Sequence, residues 1–335
     1  MAQSWPPPLA LRDAIDRLLD GVSFAALRRA SNRLTAAYRD GAGTAPPLTD
    51  ADDRLAYVAA RLPSTAEATR AVLGELRRRA PRLRVESLLE LGAGPAPGLW
   101  AASPHFPELS RATHVEIDAG MTALGRRLLE VGEPGAGVES TWYARDVARA
   151  RDLGPHDLVL VGYVLGELPE SARDQVVDAA WDVATAALVI VEPGTPAGAA
   201  RVIGARSRLL ERGATVAAPC PHDHVCPLAA DDWCHFAARV SRSRMQRRLK
   251  DGSLAYEDEK YAYVAVTRAD AEPCEARVLR RPTAAPRRVS LRLCAADGLR
   301  RELVTRRAGN RYRAARKTRW GDSWQPAGAP AGERA

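Results

Sequence analysis

The sequence predicts an α/β fold in which a parallel β-sheet is covered by helices on both faces and preceded by a helical region. From Ser87 onward, short apolar runs of strand length alternate with helix-like stretches, which is the pattern of a sheet buried on both sides. The first of these runs leads directly into a glycine-rich turn. Before it, residues 1–80 repeat apolar side chains at helical spacing.

The helical region contains two start signals for helices. Ser23 can cap the segment F-A-A-L-R-R-A-S-N-R-L, and Ser64 with Glu67 has the spacing of a capping box that opens A-T-R-A-V-L-G-E-L. The stretches G-A-G-T-A-P-P-L and L-P-S-T predict loops between the helices.

Seven runs have the length and composition of strands. Five of them would form the parallel sheet: S-L-L-E-L, T-H-V-E-I, S-T-W-Y-A, D-L-V-L-V-G-Y and A-L-V-I-V. Of the later two, Y-A-Y-V-A-V-T is expected at a sheet edge and V-S-L-R-L-C in a small β appendage. The expected division of the chain is a helical region at 1–80, the α/β domain at 81–270 with an inserted cysteine loop at 218–236, a basic β appendage at 271–325, and a disordered tail at 326–335.

The glycine turn lies between the first predicted strand and the first helix of the α/β domain. Gly92, Gly94 and Gly98 have the spacing G-x-G-x-x-x-G, and Glu90 lies two residues before them. Glycines there let the backbone turn tightly and approach a ligand. In the dinucleotide fingerprint the third glycine comes one residue earlier, so this spacing favours S-adenosylmethionine over NAD. We predict that these four residues contribute to a cofactor site.

Acidic residues after the next two strands fit the same cofactor. Glu116, eighteen residues after Gly98, could accept both ribose hydroxyl hydrogens, with Asp118 as second choice or as the cap of the following helix. Asp146 could accept the adenine amino hydrogens or start a helix, and residues 163–167 would line the methyl-donor pocket. The region holds no N-P-P-Y or D-P-P-Y motif, general base or nucleophilic cysteine. The catalytic residues therefore stay unknown.

Residues 218–236 concentrate the soft metal ligands of the chain. They include three of the five cysteines and three of the six histidines: Cys220, Cys226, Cys234, His222, His224 and His235. This loop predicts a metal or iron–sulfur site, but its spacings match neither a zinc ribbon nor a ferredoxin run. Cys274, Cys294 or a loop histidine could supply the fourth ligand. Cys294 is preferred, because it ends a strand-like run and a strand end holds a ligand in place.

The charge distribution indicates a polyanionic partner. The net charge is +8, yet residues 271–335 alone hold 16 Lys and Arg against 6 Asp and Glu. A second basic cluster at residues 239–250 follows the cysteine loop. Clustered cations gain affinity for nucleic acid by counterion release, so we expect contact with RNA. Trp233, Tyr312 and Trp320 would be available for base stacking.

The sequence also predicts the compartment. No stretch approaches the roughly 20 consecutive apolar residues of a membrane helix, and the start M-A-Q-S-W-P-P-P lacks a signal-peptide pattern. Five cysteines, an odd number, favour thiolate ligands in a reducing compartment over a disulfide framework. We expect a soluble cytoplasmic protein with no membrane contact, and no oligomer is expected.

Several motifs together resemble one known family. They are V-E-P-G-T-P-A-G, A-P-C-P-H-D-H-V-C-P-L, D-W-C-H-F, Y-E-D-E-K-Y-A-Y-V and the late W-G-D. Over most of its length the chain resembles the Rsm-type methyltransferase-like family of small-ribosomal-subunit assembly, which is known from mitochondria and has bacterial members. The resemblance implies a class I S-adenosylmethionine-dependent methyltransferase (Rossmann-like) fold. It also implies a 4Fe-4S cluster on Cys220, Cys226, Cys234 and Cys294.

The resemblance further implies binding to the small ribosomal subunit and its rRNA during maturation. The leading interpretation is therefore an S-adenosylmethionine-binding, iron–sulfur factor of small-subunit assembly, with or without methyl transfer. The alternative is an active methyltransferase on rRNA, ribosomal protein or a small molecule, with zinc held by the cysteines. The sequence leaves open whether the chain is an enzyme.

Overall fold

The N-terminal part of the chain is helical, as the sequence predicts. The computed structural model describes residues 9–40, 48–135, 137–150, 152–229, 231–269 and 271–325. The predicted disordered tail at 326–335 lies outside these residues. Four helices come first: α1 (Leu9–Leu18), α2 (Phe24–Asp40), α3 (Ala51–Ala60) and α4 (Leu62–Arg79).

The two predicted helix starts have different outcomes. Ser23 accepts a hydrogen bond from a backbone N–H in the first turn of α2 (3.4 Å), which confirms its capping role. The predicted Ser64–Glu67 capping box is wrong, because α4 already begins at Leu62 with a proline in its first turn. Ser64 instead donates to Glu257 (2.9 Å), and Glu67 forms an ion pair with an arginine one turn later.

Eight strands form the central sheet: β1 (Ser87–Leu91), β2 (Arg111–Val115), β3 (Glu139–Tyr143), β4 (His156–Gly162), β5 (Ala184–Pro193), β6 (Thr215–Ala218), β7 (Phe236–Ser241) and β8 (Tyr256–Thr267). Their order is β3-β2-β1-β4-β5-β8-β6, and β7 pairs with the remaining half of β8. The first five strands are parallel, whereas β8 is antiparallel to β5 and β6. The chain has the predicted class I methyltransferase fold.

Strand β8 corrects one expectation. The sequence predicts that its apolar segment lies at a sheet edge, but the structure places it between β5 and β6. The strand is 12 residues long. Its second half is buried and completes the central sheet, while its first half alternates in burial and pairs with β7. One strand therefore joins the parallel sheet to the segment that follows the cysteine loop.

Helices cover the sheet on both faces, which explains the continuous apolar runs of its central strands. Leu88 and Leu158 pack with α4 on one face, while Val159 and Leu188 pack on the opposite face. The helices after the first strand are α5 (Pro97–Ala102), α6 (Ala119–Gly132), α7 (Glu170–Val183), α8 (Pro196–Glu211) and α9 (Arg244–Leu249).

None of the described helices is long and apolar enough to cross a membrane.

A separate, smaller antiparallel sheet follows and confirms the predicted β appendage. Its elements are β9 (Ala276–Val278), β10 (Thr283–Ala285), β11 (Arg288–Ala295), β12 (Gly298–Thr305), α10 (Asn310–Lys317) and β13 (Ser323–Trp324). Strand β11 pairs with β10, β9 and β12. Val278, Leu291 and Trp324 contribute to a core of its own, so this sheet is built independently of the central one. Cys294 lies near the end of β11.

Candidate cofactor cleft and cysteine site

The glycine turn directly after β1 has a steric need for its glycines. Gly92 and Gly94 have positive φ angles of 68° and 51°, a conformation that other residues adopt only with strain. A Cβ at Gly92 would lie 2.2 Å from Val164 Cγ2, and one at Gly98 would lie 2.3 Å from Glu90 Oε1. The backbone of the turn is therefore held against the loop after β4 and against its own strand.

Glu90, predicted to contribute to the cofactor site, lies against the glycine turn and the start of α5. It is 2% exposed, and its carboxylate accepts hydrogen bonds from the N–H groups of Gly98 (2.6 Å) and Leu99 (3.3 Å) at the start of α5. His114 Nδ1 lies 2.9 Å from its second oxygen. Glu90 can therefore act on a ligand only by holding the turn. It also neutralises the helix N-terminus that would otherwise favour a phosphate.

Glu116 lies at the carboxyl edge of the sheet, immediately after β2. Its two oxygens accept hydrogen bonds from the N–H groups of Gly94 and Asp118, both at 2.7 Å. Burial raises the pKa of Glu116, and these backbone donors partly offset that effect. Asp118 caps α6 through the Met121 N–H (2.9 Å), so the capping role proposed for it is confirmed. The structure thus places Glu116 beside the glycine turn, with backbone donors on both oxygens.

Two more residues belong to this edge. Ile117 was not singled out by the sequence, although its apolar side chain directly after the acid is the signal that could have identified it. It is 68% exposed, which is unusual for a large apolar side chain at a strand end. Asp146 caps a short 3₁₀ turn by accepting from the Ala148 N–H (2.9 Å). Its predicted contact with adenine stays a prediction.

Three carboxylates, those of Glu116, Glu167 and Glu192, lie near one another at this carboxyl edge of the sheet, which we call the acidic cleft. Glu167, in the loop after β4, is exposed to solvent, but other protein groups surround part of its carboxylate. Partial burial, and then repulsion by Glu116 and Glu192, raise the pKa of Glu167 to about 7. Glu192, at the end of β5, is fully buried; it accepts from the Leu165 N–H (3.0 Å) and from Arg201 Nε (2.7 Å). Such a cleft repels phosphate and favours a positively charged ligand.

The predicted pocket-lining segment 163–167 divides into two kinds of residue. Val164 and Leu165 are buried in the core. Tyr163 has a positive φ of 63° at the end of β4, and its hydroxyl is buried without a hydrogen-bond partner among the described residues. Strain of this kind in a non-glycine residue is concentrated at functional sites. Glu167, which is exposed, is therefore the member of this segment that could contact a ligand, while Tyr163 contributes the strained backbone at the strand end.

Helix α3 forms a further contact that the sequence did not reveal. Arg54 Nε donates to Asp118 over 2.8 Å, at the start of α6. A Cβ at Gly120 would lie 2.5 Å from the same nitrogen. The Arg54–Asp118 ion pair thus holds the helical region beside the carboxyl edge of the sheet. This ion pair would have to open if α3 moved away.

The cysteine loop runs from β6 to β7, and the structure brings Cys294 of β11 to it. Cys294 Sγ lies 3.6 Å from Nε2 of His222, a loop residue. Burial raises the pKa of Cys294 to about 12, and the neighbouring sulfurs of Cys220 and Cys226 contribute to the rise. Burial raises the pKa of Cys234 as well, again with contributions from the other three thiols. The four predicted ligands therefore converge from two separate sheets.

The fifth cysteine lies close to this group. Cys274 is 3% exposed, and its thiol donates to the Pro219 carbonyl (3.8 Å), next to Cys220. All five cysteines are free thiols. Within the described ranges, no three Cys, His, Asp or Glu side chains are placed to hold a single metal ion. In a 4Fe-4S cluster each thiolate binds a different iron, which needs a wider arrangement of ligands.

Two buried arginines, absent from the sequence predictions, line the cysteine site. Arg206 of α8 is 4% exposed, and its Nη2 donates to the carbonyls of His222 (2.8 Å) and His224 (2.9 Å). Its guanidinium lowers the pKa of Cys220, against the larger effect of burial. Arg206 Nε is buried without a partner in the described structure. Arg277 Nε donates to the Pro219 carbonyl (2.8 Å). A thiolate-bound centre would gain stabilisation from both positive charges.

His235 and the predicted stacking residues pack against one another and against the protein core. His235 is buried, stacks on Trp233 with ring centres 5.2 Å apart, and meets Trp320 edge-on at 4.7 Å. Trp233 donates to the Gly194 carbonyl (3.0 Å). Tyr312 packs against the core of the small sheet. His235 is therefore not positioned as a free ligand, and these aromatic rings are only partly available to a base.

The basic cluster at 239–250, predicted to contact RNA, is partly engaged in ion pairs within the protein. Arg239 pairs with Asp258 (2.9 Å). Arg242 and Lys250 both pair with Glu257, at 2.8 and 2.7 Å. The partners lie on β8, and the β7–β8 pairing that aligns them joins segments distant in sequence. Three of the six cations in this cluster are therefore paired within the protein, whereas Arg244, Arg247 and Arg248 form no salt bridge with any residue that the structure describes.

Comparison with known proteins gives a family match and several structural similarities. Residues 51–325 match the family described as mitochondrial small ribosomal subunit Rsm22. The human mitochondrial ribosome assembly protein METTL17 is 30% identical over 285 residues, which cover 80% of this chain and 61% of METTL17. The chain thus spans about three-fifths of that relative.

Among solved structures, magnesium protoporphyrin IX methyltransferase from Synechocystis with bound S-adenosylmethionine has 13% identity and a TM-score of 0.40, covering 80% of this chain and 100% of that one. An O-methyltransferase family protein from Burkholderia thailandensis has 14% identity and a TM-score of 0.42, covering 66% of this chain and 61% of that one.

Proposed function

The chain belongs to the Rsm22 family, as its motifs predicted, and from this premise we propose that it is an assembly factor that binds the maturing small ribosomal subunit and its rRNA. In this proposal it binds S-adenosylmethionine in the acidic cleft and a 4Fe-4S cluster on Cys220, Cys226, Cys234 and Cys294. The observation that carries the proposal is the approach of Cys294, on the small sheet, to the cysteine loop of the α/β domain.

The cleft fits S-adenosylmethionine better than a dinucleotide on electrostatic grounds. Glu90 already accepts hydrogen bonds from the N–H groups at the start of α5, and the carboxylates of Glu116 and Glu167 would repel a pyrophosphate. The sulfonium of S-adenosylmethionine is positively charged and supplies a transferable methyl group when bound. Glu116 retains acceptor capacity for ribose hydroxyls beyond its two backbone donors, and Ile117 offers an exposed apolar surface to adenine.

The cysteine site fits a cluster through its donor set and its surroundings. Four thiols converge, and Arg206 and Arg277 supply buried positive charge beside them. Ligands from distant segments fix the relative position of those segments when a metal centre binds. The centre would hold the small sheet, with its excess of arginine, against the α/β domain. Free thiols in such a role suit a reducing compartment, and we propose the cytoplasm.

One observation favours the alternative of an active methyltransferase. The pKa of Glu167 is raised to about 7, by burial and by Glu116 and Glu192, as a general base near neutral pH requires. The acceptor would be rRNA, a ribosomal protein or a small molecule. In this alternative the cysteines hold zinc, with the adjacent Cys294 and His222 as a possible ligand pair.

Anaerobic purification followed by iron and sulfide quantification tests the cofactor, and sedimentation with small ribosomal subunits tests the partner. We expect a brown protein that sediments with the subunits. Cys226→Ser should lose the colour and weaken sedimentation together, with Cys274→Ser as the matched control that keeps both. Zinc without iron or sulfide would favour the alternative, as would transfer of a labelled methyl group to immature subunits. A colourless Cys226→Ser variant that still sediments normally would disprove the coupling.

A further inference from the structure

A groove of about 700 Å³ separates the α/β domain from the small sheet, on a face that includes α4 and β7. It lies apart from the acidic cleft and from the four predicted cluster ligands. Its walls carry six arginines: Arg70, Arg78, Arg239, Arg281, Arg316 and Arg319. Six guanidinium groups therefore surround one groove.

The six arginines fall into two groups. Arg70, Arg78 and Arg239 each form an ion pair with a carboxylate of this chain. Arg281, Arg316 and Arg319 are exposed and form no salt bridge within the part of the chain that the structure describes. Arg316 lies in α10 and Arg319 in the turn after it, and Arg281 lies two residues before β10. The groove therefore has an unneutralised positive side, supplied by the small sheet and its helix.

The acidic residues of the groove leave most of this surplus in place. Glu67 and Asp258 also line it, but both are already paired with groove arginines. Asp322 accepts from the backbone N–H of Arg319 (2.8 Å) and interacts electrostatically with the Arg319 guanidinium, so it offsets one of the three unpaired positive charges. An anion that enters the groove would thus meet a net positive wall.

The chemistry of the wall suits phosphates. A guanidinium presents a planar fork of N–H donors that binds two phosphate oxygens at once, and several forks along a groove match successive phosphates of one strand. Half-buried Trp320 and His105 also line the groove and add aromatic surface. Single strands are bound by basic grooves with such surfaces.

We propose that this groove binds the phosphodiester backbone of single-stranded RNA, with Arg281, Arg316 and Arg319 as the phosphate-contacting residues. The inference rests on the proposed function and locates its RNA contact. It places that contact at the junction of the two sheets, apart from most of the basic cluster at 239–250, in which three of the six cations are paired within the protein. An acidic protein segment is the competing occupant, and the test below separates the two.

Fluorescence anisotropy with a labelled single-stranded RNA of about 12 nucleotides, a length within the usual site size of single-strand binders, measures the contact. The variant Arg281→Gln/Arg316→Gln/Arg319→Gln is expected to lose on the order of tenfold in affinity and to lower the salt slope by about 2, since each single-strand phosphate contact contributes about 0.7. The matched control is Arg28→Gln/Arg126→Gln/Arg127→Gln, three exposed arginines on α2 and α6 with the same charge change. It should bind RNA nearly as the parent chain does.

A second variant, Arg281→Lys/Arg316→Lys/Arg319→Lys, keeps the charge and loses the forks. We expect it to keep the salt slope and bind a few times more weakly. Equal losses in the groove and control variants, or no loss in the groove variant, would overturn the proposal. Tighter binding of DNA of the same sequence would overturn it too. So would a poly-glutamate peptide that binds more tightly than RNA in a groove-dependent way.

Sedimentation with small ribosomal subunits keeps this inference separate from the proposed function. If the parent chain and the groove variant both sediment and both bind the oligonucleotide equally, the groove proposal fails while the assembly role stands. If the parent chain does not sediment, the assembly role fails, and the anisotropy comparison still decides whether the groove binds RNA.

Discussion

Arg277 Nη2 donates to the Glu75 carboxylate over 2.8 Å and so joins β9 to α4 across 202 positions of sequence. Arg277 is 2% exposed, and its other nitrogens donate to the carbonyls of Pro219 and Gly321, both at 2.8 Å. One buried guanidinium therefore holds together the helical region, the start of the cysteine loop and the end of the small sheet. The cysteine site is assembled around this contact.

Loss of this arginine should destabilise the whole protein. Arg277→Met is expected to lower the free energy of unfolding by about 3 kcal/mol, because it removes three hydrogen bonds of a buried guanidinium and leaves the carbonyls of Pro219 and Gly321 without this donor. Glu75 keeps Arg78 and Arg79 as partners. Urea unfolding at neutral pH measures the change. The double variant Glu75→Gln/Arg277→Met should lose less than the sum of the two single variants, since the two side chains interact directly. A single variant within 1 kcal/mol of the parent would contradict this role.

Acid should weaken the same contact in a defined window. Burial alone would raise the pKa of Glu75, but Arg277 and Arg78 lower it to about 2, against 4.5 in the unfolded chain. A carboxyl group whose pKa is lowered by folding stabilises the fold at pH values above its pKa in the unfolded chain. That contribution, about 3 kcal/mol, is lost as the pH falls from 4.5 through 2. Urea unfolding from pH 5 to pH 2 should therefore show a steeper loss for the parent than for Glu75→Gln. Parallel curves would show that Glu75 is not the group responsible.

Binding of S-adenosylmethionine should depend on the ionisation of Glu167. Its pKa of about 7 is raised by partial burial and by Glu116 and Glu192, so the carboxylate is largely protonated at pH 6 and charged at pH 8. Affinity for the cationic cofactor should increase across this range, as measured by isothermal titration calorimetry. Glu167→Gln should flatten the dependence. S-adenosylhomocysteine, which lacks the positive sulfur, is the matched ligand and should vary much less; the same pH dependence for both ligands would argue against this electrostatic role.

Two buried cysteines, Cys294 and Cys274, could supply the fourth cluster ligand, and the iron content of single variants distinguishes them. Cys294→Ser is expected to lose most of the bound iron, because Cys294 approaches His222 of the loop and lies among the other three thiols. Cys274→Ser should retain it, since that thiol donates to the Pro219 carbonyl. Iron per protein after anaerobic purification gives the readout. Retention of iron in Cys294→Ser with loss in Cys274→Ser would reverse the assignment.

Local and apolar features of the fold were predictable from sequence. Strands β1, β4 and β5 are continuous apolar runs, and burial on both faces leaves few other structures for such runs. The caps formed by Ser23 and Asp118 depend only on residues within one turn. The glycine turn was found because Gly92 and Gly94 adopt backbone angles that favour glycine.

Features that depend on distant partners were not predictable. The position of β8 between β5 and β6 depends on pairing between strands that are distant in sequence, and no local sequence pattern indicates that pairing. The partners of Arg239 and Arg242 are set by the β7–β8 register, so charge counting overestimated the free charge of that segment. The arginines around the cysteine site, Arg206 and Arg277, come from α8 and β9, and no motif marks them.

The central position of β8 also has a consequence for synthesis of the chain. During translation, β5 and β6 are made well before residues 256–267, which must later insert between them. Until then the two strands have unpaired backbone edges, and such edges attract strands from other chains. The nascent protein is therefore most exposed to misassembly while the cysteine loop is being synthesised, and a chaperone that shields the edge of β5 would act in that interval.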